Sequence, residues 1–124
     1  MEQVVNIGLL GLGTVGGGVY KVLRNNPAVK IVKIAVKDKN EVQEIEGLDK
    51  NLLTEDAKVI VTNPDIDIII EVIGGTGAAY EFIKMALERG KHVVTANKEL
   101  IAKKGDELFE IAKENNVLLL FEAA

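Results

Sequence analysis

The sequence predicts a doubly wound α/β fold, a mainly parallel sheet with helices on both faces. Three observations predict it: an apolar run that ends in glycines and leads into helical periodicity, a repeated alternation of β-branched runs with helical stretches, and a core stock that is almost purely aliphatic. Hydrophobic residues make up 48% of the chain and aromatics 4%, so Val, Ile, Leu and Ala must fill the interior, the mix that suits strands covered on both faces. At 124 residues, one core and one domain over 1–124 are expected.

Val4 to Leu10 is short, apolar apart from Asn6, and ends directly in glycine, which reads as a buried strand feeding a tight turn. Val15, Val19, Val22 and Leu23 then recur at helical spacing up to the stop signal Asn25, Asn26, Pro27. Val29 to Val36 is a second strand, and the polar stretch from Lys37 to Lys50 has no sustained period and reads as an irregular excursion. From Leu52 to Val61 helix and strand compete, and a short helix is favoured. Asn63 and Pro64 mark a turn before a strand over Ile66 to Ile73, which ends in Gly74 and Gly75. A helix from about Ala79 to Arg89 buries Ile83, Ala86 and Leu87, and Gly90 closes it. His92 to Thr95 is a short strand. A last helix is predicted after Gly105, with Asp106 as its cap and Leu108, Ile111 and Ala112 inward, before a final strand over Val117 to Phe121. Right-handed crossovers between these strands give a parallel sheet.

The balance of 15 basic against 19 acidic residues, a net of -4, supplies no field for a polyanion, so nucleic acid is not an expected partner. With no cysteine, a disulfide framework and a thiolate metal site are excluded, and no metal site is predicted. The opening MEQVVNIGLL has neither a basic leader nor a long apolar stretch, which predicts no membrane association and a cytoplasmic protein.

Gly11, Gly13 and Gly16, in GLGTVG, match the GxGxxG fingerprint and fall between the first strand and the first helix. Gly11 permits the tight turn, Gly13 lets the backbone approach a pyrophosphate, and Gly16 lets helix and strand pack closely. Leu12, Thr14 and Val15 supply amides at the positive end of the helix. A bare glycine fingerprint also fits a turn that merely terminates a strand. Here strand, turn and helix stand in the right order with a second βαβ half downstream, so a Rossmann-like dinucleotide site is the favoured reading. Gly17 and Gly18 lie inside the helix, where each costs roughly 1 kcal/mol relative to Ala; close approach by another element or by the cofactor is the expected reason.

Asp38 follows Gly16 by 22 residues, where a carboxylate for a ribose 2′-hydroxyl belongs. Lys37 and Lys39 flank it, and cations there suit the 2′-phosphate of NADP. A solvated turn explains all three equally well. NADP or NAD is expected, with a slight preference for NADP.

The segment DIIIEVIGG from Asp67 to Gly75 and GKHVVTANKEL from Gly90 to Leu100, together with IGLLGLGTVG at the start and FEA at Phe121 to Ala123, resemble the amino-terminal half of homoserine dehydrogenases. The likeness runs over essentially the whole chain in order, and VTANK carries much of its weight. It implies NAD(P)-dependent interconversion of L-homoserine and L-aspartate 4-semialdehyde, a step in threonine, methionine and isoleucine synthesis. It implies that Gly74, Gly75 and Thr76 face the cofactor, that Thr95, Ala96 and Asn97 lie by the nicotinamide, and that Lys98 sits between cofactor and substrate as the catalytic candidate. An ammonium at Lys98 suits a developing alkoxide or a shared proton; its plain alternative is a solvated lysine in a helix's first turn, where cations are disfavoured.

His92, the single histidine, reads as structural. Glu71, alone in an Ile and Val run, is expected to pair with a backbone amide or sheet-edge group. GAAY at Gly77 to Tyr80 departs from the proline-containing helix start common in the family. The resemblance further implies that the substrate domain and its dimerisation sheet lie outside this chain, that the parent is a homo-oligomer, and that the chain by itself binds dinucleotide without turnover. Two rivals stand beside it: the cofactor domain of another two-domain dehydrogenase, and a non-catalytic dinucleotide-sensing module.

Overall fold

The computed structural model describes residues 3–74 and 76–122. Six strands form one parallel sheet: β1 (Val5–Leu10), β2 (Val29–Ala35), β3 (Leu53–Thr54), β4 (Ile68–Glu71), β5 (His92–Thr95) and β6 (Leu119–Phe121). Their order is β3-β2-β1-β4-β5-β6. The chain builds outward from β1 in one direction and then from β4 in the other, so the order reverses between β1 and β4. Ligands of open α/β sheets lie at such a reversal, beyond the carboxyl ends of the strands.

Among the described residues four α-helices cover the sheet: α1 (Thr14–Leu23), α2 (Ala57–Val61), α3 (Gly77–Glu88) and α4 (Lys98–Glu114). Side chains alternate across a strand, and β1 shows the consequence. Leu9 belongs to a core with Tyr20 of α1, Ile34 and Leu53. Its neighbour Leu10 belongs to the opposite core, with Ile60, Ile83, Leu100 and Leu108 from the other three helices. Beyond β4 the α1 face loses its cover among the described residues: on β6 the buried Leu119 is flanked by exposed Leu118 and Leu120.

Three sequence expectations change. The last helix starts eight residues before Asp106, because Asn97 caps it: its side chain accepts from the Leu100 amide at 3.0 Å. Gly105 lies buried inside the helix, where a single glycine is tolerated at a cost of roughly 1 kcal/mol. The stretch from Leu52 to Val61 divides. A 3₁₀ turn (Lys50–Leu52) leads into β3, which buries Leu53 beside Ile34. The Asp56 side chain then accepts from the Lys58 amide and starts α2. Strands β4 and β6 are shorter at both ends, or at the start, than their apolar runs. The excursion after β2 is irregular except for a 3₁₀ turn (Lys39–Glu41).

Candidate functional site

β1 stops at Leu10 and the chain turns through Gly11 at a φ of 108°, a left-handed conformation that favours glycine. The Gly11 amide is held by the Ala35 carbonyl at 2.9 Å. A side chain at Gly16 would force the backbone to shift, since its Cβ would lie 2.3 Å from the Gly11 carbonyl oxygen. Gly13 is the residue before α1, and no side chain caps that helix. The first bond of the turn runs from the Gly17 amide to the Gly13 carbonyl at 2.7 Å. The amides of Thr14, Val15 and Gly16 precede it, so they have no partner within the helix. A Cβ on Gly13 would meet nothing within 4 Å. Backbone donors, a helix dipole and open space thus coincide, a fit for a pyrophosphate.

A cleft of about 310 Å³ opens beside this loop, lined by Gly11, Leu12, Gly13, Val36, Lys37, Asp38, Glu41, Val42, Val72 and Ile73. Lys37 brings a cation to it, Asp38 and Glu41 bring carboxylates. Asp38 spends one oxygen on the Asn40 amide at 2.8 Å. Lys39 is not among the lining residues; its amide donates to Glu55 at 2.8 Å. Gln43 fastens this wall to the glycine loop, donating from Nε2 to the carbonyls of Leu12 at 3.0 Å and Gly13 at 2.7 Å.

A second cleft of about 190 Å³ is lined by Val15, Glu71, Val72, Gly74, Ala96 and Asn97. Val72 borders both, so the two adjoin at the sheet's reversal and make up a groove in two parts, one at the end of β2 and one at the ends of β4 and β5. Beneath it Glu71 is fully buried. Its Oε2 accepts from the amides of Ile73 at 2.8 Å and Gly74 at 3.4 Å. Its Oε1 accepts from the Thr95 hydroxyl at 2.6 Å, and that hydroxyl oxygen accepts from the Asn97 amide at 3.0 Å.

The sequence-predicted residues therefore divide by depth. Gly11, Leu12, Gly13, Lys37, Asp38, Val15, Gly74, Ala96 and Asn97 line the groove. Thr14 is exposed beside it, and Gly16 is buried below it. Thr95 is 0% exposed, so its hydroxyl serves the frame of the groove and does not reach into it. Thr76 starts α3 and lines neither cleft. Gly75 and Ala123 lie outside the described residues. Lys98 is the exposed first residue of α4, following Asn97 in the chain, and lines neither cleft. His92 accepts the Leu118 amide on Nδ1 at 3.0 Å, a structural bond next to the β5 and β6 ladder. Among the described residues no group of three or more His, Asp or Glu is placed to hold a metal, and no helix is long and apolar enough to cross a membrane.

Glu41, Val42 and Gln43 were not singled out by sequence reasoning, because an aperiodic polar stretch shows nothing of where it folds back. The signal for Gln43 was indirect: a glycine, Gly17, in mid-helix. A Cβ there would lie 2.5 Å from Gln43 Nε2, so the close approach is by another element. Nothing in the structure explains Gly18, whose added Cβ would stand in open space.

Strand order, glycine turn, uncapped helix and a groove at the reversal together define a dinucleotide-binding α/β domain of the Rossmann type. Comparison with known proteins makes this particular. Residues 11–122 match the family described as "Homoserine dehydrogenase, NAD binding domain". Homoserine dehydrogenase of Neisseria gonorrhoeae is 43% identical over 97% of this chain and 29% of its own length; that of Bacillus subtilis is 41% identical over 98% and 30%. A crystal structure of S. aureus homoserine dehydrogenase superposes with a TM-score of 0.90 at 38% identity, covering 98% of this chain and 33% of that one. The homoserine dehydrogenase from Thiobacillus denitrificans gives 0.85 at 42% identity, over 97% and 30%. The chain belongs to the homoserine dehydrogenase family, in its NAD-binding domain. It spans about 30% of the length of the curated relatives cited. This favours the homoserine dehydrogenase reading over both rivals.

Proposed function

We propose that this chain is the cofactor half of an enzyme that interconverts L-homoserine and L-aspartate 4-semialdehyde, with the substrate held by a further domain outside it. The observation that carries the reading is the uncapped amino terminus of α1, which faces a groove whose two parts adjoin at the β1/β4 reversal and reach Asn97. The α1 amides and Gly13 hold the pyrophosphate. The cleft of Lys37, Asp38 and Glu41 takes the adenosine ribose, and the cleft between Gly74 and Asn97 takes the nicotinamide end. The bound nicotinamide supplies the hydride acceptor or donor of the reaction.

What these residues contribute is position and charge. The ribose cleft mixes one cation with two carboxylates, so it suits NAD(H) or NADP(H), and Lys37 tips it toward a 2′-phosphate. Lys98, following Asn97 in the chain, carries the ammonium that steadies the substrate's alkoxide or shares the proton of its reacting hydroxyl. A cytoplasmic, homo-oligomeric parent completes the reading. By itself the chain binds cofactor without turnover, since it presents one of the two reactants to be aligned.

Fluorescence titration of NADH and NADPH into the purified protein tests the proposal, with Lys37→Ala as the partner variant. Saturable binding of at least one, and a loss confined to NADPH in the variant, is the expected result. No saturable binding of either cofactor sinks the reading, and equal binding unaffected by Lys37→Ala removes the phosphate preference.

A further inference from the structure

Glu71 is the only acidic side chain among the described residues that is buried, at 0% exposure, and it ends β4 where the groove changes strands. Burying a carboxylate is costly unless donors surround it. Here the donors come from two different turns. Ile73 and Gly74 lie in the turn after β4, and Thr95, which in turn receives the Asn97 amide, closes β5. The sheet's ladder between these turns ends with the Ala96 amide on the Glu71 carbonyl at 3.2 Å. Past that point the Glu71 side chain continues the join between the two walls of the groove. Asn97, held from behind by Thr95, then caps α4 through Leu100 and so fixes where Lys98 begins the helix.

We propose that Glu71 is a positioning residue for the nicotinamide end of the site: it locks the turn after β4 to the turn after β5, so that Gly74, Ala96 and Asn97 form one fixed wall and Lys98 is presented in one place. The inference rests on the proposed dinucleotide function and adds the device that pre-organises it. Chemistry makes the carboxylate specific. Both of its oxygens accept, and they receive three donors. A glutamine keeps the shape, but with its one accepting oxygen on the Ile73 and Gly74 amides its NH₂ faces the Thr95 hydroxyl, so that link must reverse direction and loses its charge assistance. An isosteric valine at Thr95 removes the central link outright.

The test measures binding of two probes to the purified protein: whichever of NADH and NADPH binds more tightly, and ADP, which lacks the nicotinamide end. Glu71→Gln and Thr95→Val are each expected to weaken the dinucleotide about tenfold, the scale of one net hydrogen bond, with ADP binding unchanged. Thr95→Ser restores the hydroxyl and is expected to recover most of the Thr95→Val loss. A merely structural role moves both probes together. The proposal is overturned if both variants bind the dinucleotide as the parent does, or if ADP and dinucleotide weaken alike. Should Glu71→Gln not fold, Thr95→Val decides by the same two readouts. A parent protein that binds neither probe overturns the dinucleotide reading itself, and this outcome is distinct from the others.

Discussion

The carboxamide of Gln43 fills the space that a side chain at Gly17 would need: an added Cβ would lie 2.5 Å from Nε2, the nitrogen that donates to Leu12 and Gly13. A mid-helix glycine, unfavourable by about 1 kcal/mol, is thereby the seat for a clamp on the glycine loop. Alanine at 17 must push Gln43 off its two carbonyls. Gln43→Ala is expected to cost about 1–2 kcal/mol. Gly17→Ala in that background should then stabilise by up to about 1 kcal/mol, and by clearly less in the parent. A double-mutant cycle by urea unfolding checks this, and additive effects would show that the two residues do not meet.

Gly13 and Gly16 stand three residues apart but answer to different constraints. A Cβ at Gly16 would strike the Gly11 carbonyl oxygen at 2.3 Å, a backbone atom, whereas one at Gly13 meets nothing within 4 Å. Gly16→Ala is expected to destabilise by roughly 2 kcal/mol or more. Gly13→Ala should change stability by less than about 0.5 kcal/mol and weaken dinucleotide binding about tenfold or more, because its open space is the one the proposed site gives to the pyrophosphate. Paired unfolding and binding curves separate the two; equal stability losses would contradict the assignment.

Lys98 is exposed at the first position of α4, where a cation opposes the helix dipole. Lys98→Ala should therefore leave the fold intact or steadier by about 0.3–1 kcal/mol, with dinucleotide affinity little changed. In the complete enzyme, turnover of homoserine is expected to fall about a hundredfold or more. Retained turnover would return Lys98 to the solvated surface.

Lys91 lies at the opposite end of β5, 4% exposed, with its ammonium donating to the carbonyls of Ile66, at 2.9 Å, and Asn63. Burial lowers its pKa below the ordinary lysine value of 10.5, against an opposing pull from Asp67. Between the folded value and 10.5 the unfolded chain holds more protons, so this group makes stability rise with pH across that window. Lys91→Met leaves two carbonyls unpaired and should cost about 1–3 kcal/mol. The gap between parent and variant is expected to widen from pH 8 to pH 10. A gap that narrows would mean that the ammonium is favoured by its site.

The buried aspect of Glu71 shows how far a single sequence reaches. A lone acid in the run IIIEVI announces that something must receive it, and pairing with an amide was expected. The amides of Ile73 and Gly74 do donate to it; what the run does not announce is its third donor, Thr95, 24 residues away. The start of α4 depends on the same Thr95 at one remove. Gly105 and Asp106 form a locally plausible helix start, but Asn97 is fixed by the Thr95 hydroxyl behind it and its cap wins.

By itself the sequence determined the strand runs, the glycine spacing, the family and the groove's principal residues, since β-branched runs, φ-permissive glycines and short motifs act within a few residues of one another. Only the tertiary structure decided which side chains frame the groove and which face into it. Thr95 went inward, Gln43 crossed 30 residues to the glycine loop, and Lys98 became the head of a 17-residue helix. The first two of those outcomes are hydrogen bonds between distant segments, and burial selects such bonds only after the sheet has brought the segments together; the third follows from the first, because the Thr95 that Glu71 holds in turn holds Asn97.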